Sequence, residues 1–121
     1  MKQPLLMLLA VATTAAFVAR ADAHAFLDHA TPAVGSTVHG SPTEVTLWFT
    51  QALEPAFCMV KVVDRNGRTV DKGDKAVNAS HRKLLRVSLQ PLRPGTYRVV
   101  WRVVSVDTHI TEGDFTFDVA P

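Results

Sequence analysis

The chain has 121 residues, a single cysteine and a formal net charge of +2. That length holds one small domain and excludes a core with a second, catalytic domain beside it. The near balance of 13 basic and 11 acidic side chains leaves no electrostatic footprint for nucleic acid or an anionic membrane surface, and one cysteine excludes an internal disulfide.

The first element has the pattern of an export signal. Lys2 supplies the positive start, residues 5–18 form an apolar run broken only by Thr13 and Thr14, and Ala21-Asp22-Ala23 fits an A-x-A cleavage site. The run is shorter than the roughly 20 apolar residues a spanning helix needs, and Arg20 closes it early. The expectation is a cleaved segment 1–23 and a soluble exported domain 24–121. Loss of Lys2, Arg20 and Asp22 with the leader takes the net charge from +2 to +1. Cleavage after Ala23 makes His24 the N-terminal residue. Its free α-amine and imidazole Nδ1 then close one chelate ring, a nitrogen pair suited to tetragonal Cu(II). A start one or two residues away removes that chelate.

The rest of the chain reads as strands and turns. Residues 45–49 alternate, with Val45, Leu47 and Phe49 on one face. Residues 57–63 are apolar and β-branched and end at Asp64-Arg65-Asn66-Gly67, where Asn-Gly is a strong turn signal. Cys58 is in phase with Val60 and Val62 and reads as a small buried hydrophobe, while Met59 points to the other face. Thr69-Val70 begins a short return, and residues 71–81 read as a polar loop. Leu85, Val87 and Leu89 share a face, residues 91–95 turn, and residues 96–104 form the longest strand, with Tyr97, Val99, Trp101 and Val103 in phase. Glu112-Gly113 reads as the next turn, after which Phe115, Phe117 and Val119 close the core. Frequent turns and about seven short strands predict an all-β Greek-key sandwich.

The second site feature follows the longest strand, in Val104-Ser105-Val106-Asp107-Thr108-His109. Asp107 and His109 are two apart, so extended backbone projects both from one face. With the amine and imidazole of His24 they make a set of three nitrogens and one oxygen. That set fits tetragonal Cu(II) better than tetrahedral zinc and lacks the sulfur that favours Cu(I). The plain structural alternative is a carboxylate–histidine hydrogen bond at a strand end. His29, His39 and His81 read as solvated surface residues, and Trp48 and Trp101 as packing.

The start His24-Ala25-Phe26-Leu27-Asp28-His29-Ala30-Thr31-Pro32, the strand Leu47-Trp48-Phe49-Thr50, the long segment from Leu92 to His109 and the last strand Phe115-Thr116-Phe117 resemble the CopC family of periplasmic copper-binding proteins. The resemblance implies a cupredoxin-like β-sandwich or barrel that binds one Cu(II) per mature chain through His24, Asp107 and His109. It also implies copper carriage in the periplasm for resistance or homeostasis, and a copper-transporting inner-membrane protein of the CopD type as partner. The chain departs from the family pattern twice. Residues 51–81 contain Met59 as their sole methionine, which speaks against a separate Cu(I) site built on Met59 or Cys58. Where many members carry an acidic residue after the Leu47–Thr50 strand, this chain has Gln51, with Glu54 further on, so the contact that orients the N-terminal histidine comes from Gln51, Glu54 or another group. Two other functions compete with a carrier: a histidine-brace copper oxidase or monooxygenase, and a metal-free immunoglobulin-like interaction domain. An oxygen-activating brace needs an open equatorial position, which an Asp107 ligand would fill.

Overall fold

A computed structural model describes residues 25–121 of the chain, so the leader and His24 lie outside the described residues. The alternating apolar residues form eight strands: β1 (Leu27–Thr31), β2 (Thr37–His39), β3 (Glu44–Phe49), β4 (Met59–Val63), β5 (Ala76–Val77), β6 (Leu84–Ser88), β7 (Gly95–Val104) and β8 (Ile110–Ala120). They make two four-stranded sheets, ordered β1-β3-β6-β5 and β2-β8-β7-β4. All pairs are antiparallel except β2 with β8, which is parallel. Only the β5–β6 and β7–β8 connections stay within a sheet; every other link crosses between layers, as in a Greek-key sandwich. Among the described residues no helix is long and apolar enough to cross a membrane.

The period-two pattern decides what lies between the sheets. Val45, Leu47 and Phe49 of β3 and Leu85 and Val87 of β6 face Val60, Val62, Tyr97, Val99, Trp101, Val103, Phe115, Phe117 and Val119 across the core. Cys58 joins that core, as its phase with Val60 predicts, and burial pushes its thiol pKa up. Met59 is exposed on the other side of the strand.

The observed elements depart from the sequence reading in four places. Phe57 ends the short 3-10 helix Pro55–Phe57, opened by the proline, and does not begin the strand, which starts at Met59. The residues read as a loop before β6 include the two-residue strand β5. His39 belongs to β2, paired with Ala120, although it remains exposed. Glu112-Gly113 is no turn but the interior of β8, where Gly113 sits opposite Trp101. A Cβ at Gly113 would come within 2.6 Å of the Trp101 ring. The glycine is there so that the indole can lie across the neighbouring strand, a close approach that no larger residue allows.

β7 and β8 form the longest hairpin, paired from Gly95 with Val119 to Val104 with Ile110. This ladder carries the segment after Val104 to one end of the sandwich.

Candidate metal centre

The chain between β7 and β8 reverses in a tight turn over residues 106–109. The Ser105 N–H donates to the His109 carbonyl at 2.9 Å, and the Thr108 N–H donates to the Ser105 carbonyl at 2.9 Å. The reversal puts Thr108 at φ 71°, a left-handed conformation that a β-branched residue rarely adopts. Neighbouring backbone clamps the base of the turn. The Glu54 N–H donates to the Val104 carbonyl at 2.8 Å, the Val106 N–H to the Ala52 carbonyl at 3.0 Å, and Leu53 bridges Ser105.

This turn brings the predicted pair together. Asp107 Oδ2 lies 3.2 Å from His109 Nδ1, with about half of each side chain open to solvent (43% and 48%). The expectation that both residues sit on one face of extended backbone is corrected: the turn makes them meet, and strand alternation does not. The turn thus sets a carboxylate oxygen and an imidazole nitrogen side by side at the surface.

A residue missed in the sequence reading holds the carboxylate from below. Ser105 is fully buried, the one buried polar residue among the described residues. Its hydroxyl donates to Asp107 Oδ1 and lies 3.3 Å from the His109 carbonyl. That hydroxyl, with His109 adding to the effect, holds the Asp107 carboxyl below the usual carboxylate range. The carboxylate is therefore charged throughout the neutral range. The sequence carried a signal for Ser105: a polar residue in phase with the core positions Trp101 and Val103.

The chain entering β1 runs beside the same turn. Ala25 is fully buried, and its carbonyl accepts from the Thr111 hydroxyl at 2.5 Å, two residues beyond His109. Phe26 and Thr50 are tied by two bonds, Thr50 N–H to the Phe26 carbonyl at 2.8 Å and Phe26 N–H to the Thr50 hydroxyl at 3.0 Å. His24 itself lies outside the described residues.

The remaining sequence candidates fall elsewhere. The Glu54 carboxylate faces Arg82, 3.8 Å away, and Gln51 is exposed. His29 is exposed, bonded through Nδ1 to Asp28 at 2.8 Å and stacked on Trp48, which His81 also touches. Trp48 thus packs on the outer face of its sheet, while Trp101 meets Phe49 edge-on in the core. Among the described residues no group of three or more His, Cys, Asp or Glu side chains converges on one point. Asp107 and His109 are therefore a pair and not part of a larger cluster of such side chains among the described residues.

Known proteins supply the context. The CopC domain family matches residues 27–120. Protein YobA of Escherichia coli K12 is 38% identical over 112 residues, covering 92% of this chain and 90% of its own. The crystal structure of CopC from Methylosinus trichosporium OB3b superposes with a TM-score of 0.73 at 36% identity, covering 81% of this chain and 95% of that one. PcoC, a methionine-rich copper resistance protein from Escherichia coli, superposes with a TM-score of 0.71 at 33% identity, covering 81% of this chain and all of that one. These likenesses bear out the cupredoxin-like all-β fold and set aside the enzyme alternative, because the family holds copper-resistance proteins and not enzymes. The chain belongs to the CopC domain family.

Proposed function

We propose that this protein is a periplasmic Cu(II) carrier or buffer serving copper resistance or homeostasis. In this reading residues 1–23 are removed on export. The exposed α-amine and imidazole of His24, the Asp107 carboxylate and the His109 imidazole then hold one Cu(II) per chain. The observation that carries the reading is the Asp107–His109 pair, 3.2 Å apart in a clamped turn. It is supported by the tether of Ala25 to Thr111, which brings the chain's entry into β1 to the strand that follows His109. Three nitrogens and one oxygen suit Cu(II). A soft thioether set for Cu(I) has little to draw on, since Met59 is exposed on the outer face of β4 and Cys58 is buried. Membership in a family of copper-resistance proteins supports the choice of copper over other divalent ions.

A carrier must also release its ion, and the partner proposed is a copper-transporting membrane protein of the CopD type. Exposed Phe26, Val106 and Ile110 lie at or next to the elements that carry the site and offer an apolar rim for such a contact.

The test compares two chains by Cu(II) titration, one beginning at His24 and one with a single additional residue before it. The extension keeps the imidazole and moves the terminal amine out of the chelate. The chain that starts at His24 is expected to bind one equivalent of Cu(II) far more tightly. Equal affinity would remove the amino-terminal half of the site.

A further inference from the structure

We infer that Ser105 is the positioning residue of this site: its buried hydroxyl holds Asp107 Oδ1, so that the carboxylate offers an incoming ion one oxygen, Oδ2, beside His109. The inference rests on the reading of Asp107 and His109 as copper ligands and adds what fixes the carboxylate between them.

An ionised aspartate has two equivalent oxygens and room for about four hydrogen bonds. Its terminal torsion is broad, so an exposed aspartate in a turn has no intrinsic preference for presenting either oxygen. Here the two oxygens are made different. Oδ1 accepts the Ser105 hydroxyl from the protein side, and Oδ2 is left 3.2 Å from His109 Nδ1 on the solvent side. The serine is itself immobile. Its side chain is fully buried, its N–H and carbonyl are both used within the turn, and Leu53 bridges it. A hydroxyl at a core-facing position costs free energy unless it is bonded, and its single proton goes to the charged acceptor rather than to the His109 carbonyl at 3.3 Å. With Oδ1 held by the serine, the carboxylate plane is fixed and Oδ2 is the oxygen set beside His109. A single-oxygen donor leaves three positions of a square plane for nitrogen, matching the proposed set.

The test is a cycle of four chains that begin at His24: the natural sequence, Ser105→Ala, Asp107→Ala and the double variant, each titrated with Cu(II). Ser105→Ala removes one oxygen from a buried position, and amide NMR dispersion of the metal-free protein verifies its fold. Ser105→Ala is expected to weaken Cu(II) binding by roughly 10-fold, at the lower end of what losing a partner of a metal ligand costs. It should also alter the Cu(II) EPR spectrum. In the Asp107→Ala background the same substitution should cost nothing further. In the metal-free protein, side-chain couplings of Asp107 should report one rotamer in the natural sequence and an average in Ser105→Ala. Unchanged binding in Ser105→Ala, or an equal loss with Asp107 already absent, would overturn the role of the serine. Identical binding by the natural sequence and Asp107→Ala would instead overturn the ligand reading beneath it, a result read without any serine variant.

Discussion

Two turns of this sandwich are built around an aspartate, and they use it in opposite ways. After β4, Asp64 Oδ1 accepts the backbone N–H groups of Asn66 and Arg68, both at 2.9 Å, and the left-handed position falls to Gly67 at φ 77°. One carboxylate oxygen there is taken up by its own turn, and the strained conformation goes to the residue that adopts it without steric cost. After β7, Asp107 meets two side chains, Ser105 from the buried side and His109 at the surface, and the left-handed position is held by Thr108. The first turn is optimised for reversal of the chain. The second keeps an oxygen and an imidazole presented to solvent and tolerates a conformation costing on the order of 1–3 kcal/mol to do so. A small fold can thus carry a site where its local rules are least well obeyed.

That contrast breaks most visibly with pH. Each nitrogen ligand must shed its proton before binding copper. Model imidazoles and α-amines titrate at about 6.5 and 7.7–8.0, so two imidazoles and one amine should lose roughly 10⁴- to 10⁵-fold in Cu(II) affinity between pH 7 and pH 5. Asp107 should add nothing to this loss. Its carboxyl is held low by Ser105 and then His109, so it stays charged as pH falls through the window and protonates only below the usual carboxylate range. Competition titrations at the two pH values check the slope, and a flat profile would point to a site of carboxylates alone.

Next in size is His109→Ala. Removal of a nitrogen ligand should cost more than the roughly 100-fold upper range for a supporting group. Asp107→Ala should cost less than His109→Ala, because Cu(II) prefers nitrogen to oxygen in such a set. Reversed ranks in calorimetric titrations would mean that the carboxylate dominates.

Asp64→Ala sharpens the comparison from the other side. It removes two side-chain-to-backbone bonds and should cost about 1–2 kcal/mol of stability, seen as a lower Tm, with Cu(II) affinity unchanged. The smallest effect is expected at Thr108. Thr108→Gly relieves the left-handed strain, partly offset by glycine's greater unfolded-state entropy, for a net gain of about 0.5–1 kcal/mol. A loss of stability there would mean that Thr108 is held by contacts worth more than its strain.

Much of this was legible in the chain. Strands β3, β4, β6, β7 and the second half of β8 announced themselves because each has one face in the core, and the core repeats every second residue. Strands β2 and β5 did not, being three and two residues long and defined by their neighbours rather than by their own pattern. Gly113 was misread as a turn because the sequence does not show that Trp101 lies across it. Asp107 and His109 were found by a rule of strand alternation that does not operate at their position; the turn that unites them depends on bonds among Ser105, Thr108 and His109. Ser105 went unnoticed since serine is common in loops, and only its depth gives it significance.

The most direct test of the central claim is the EPR spectrum of the Cu(II)-loaded chain beginning at His24, recorded beside its His109→Ala variant. The account predicts a tetragonal signal with coupling to three nitrogens, reduced to two in the variant. A variant spectrum identical to that of the natural sequence would show that copper is bound without the β7–β8 turn.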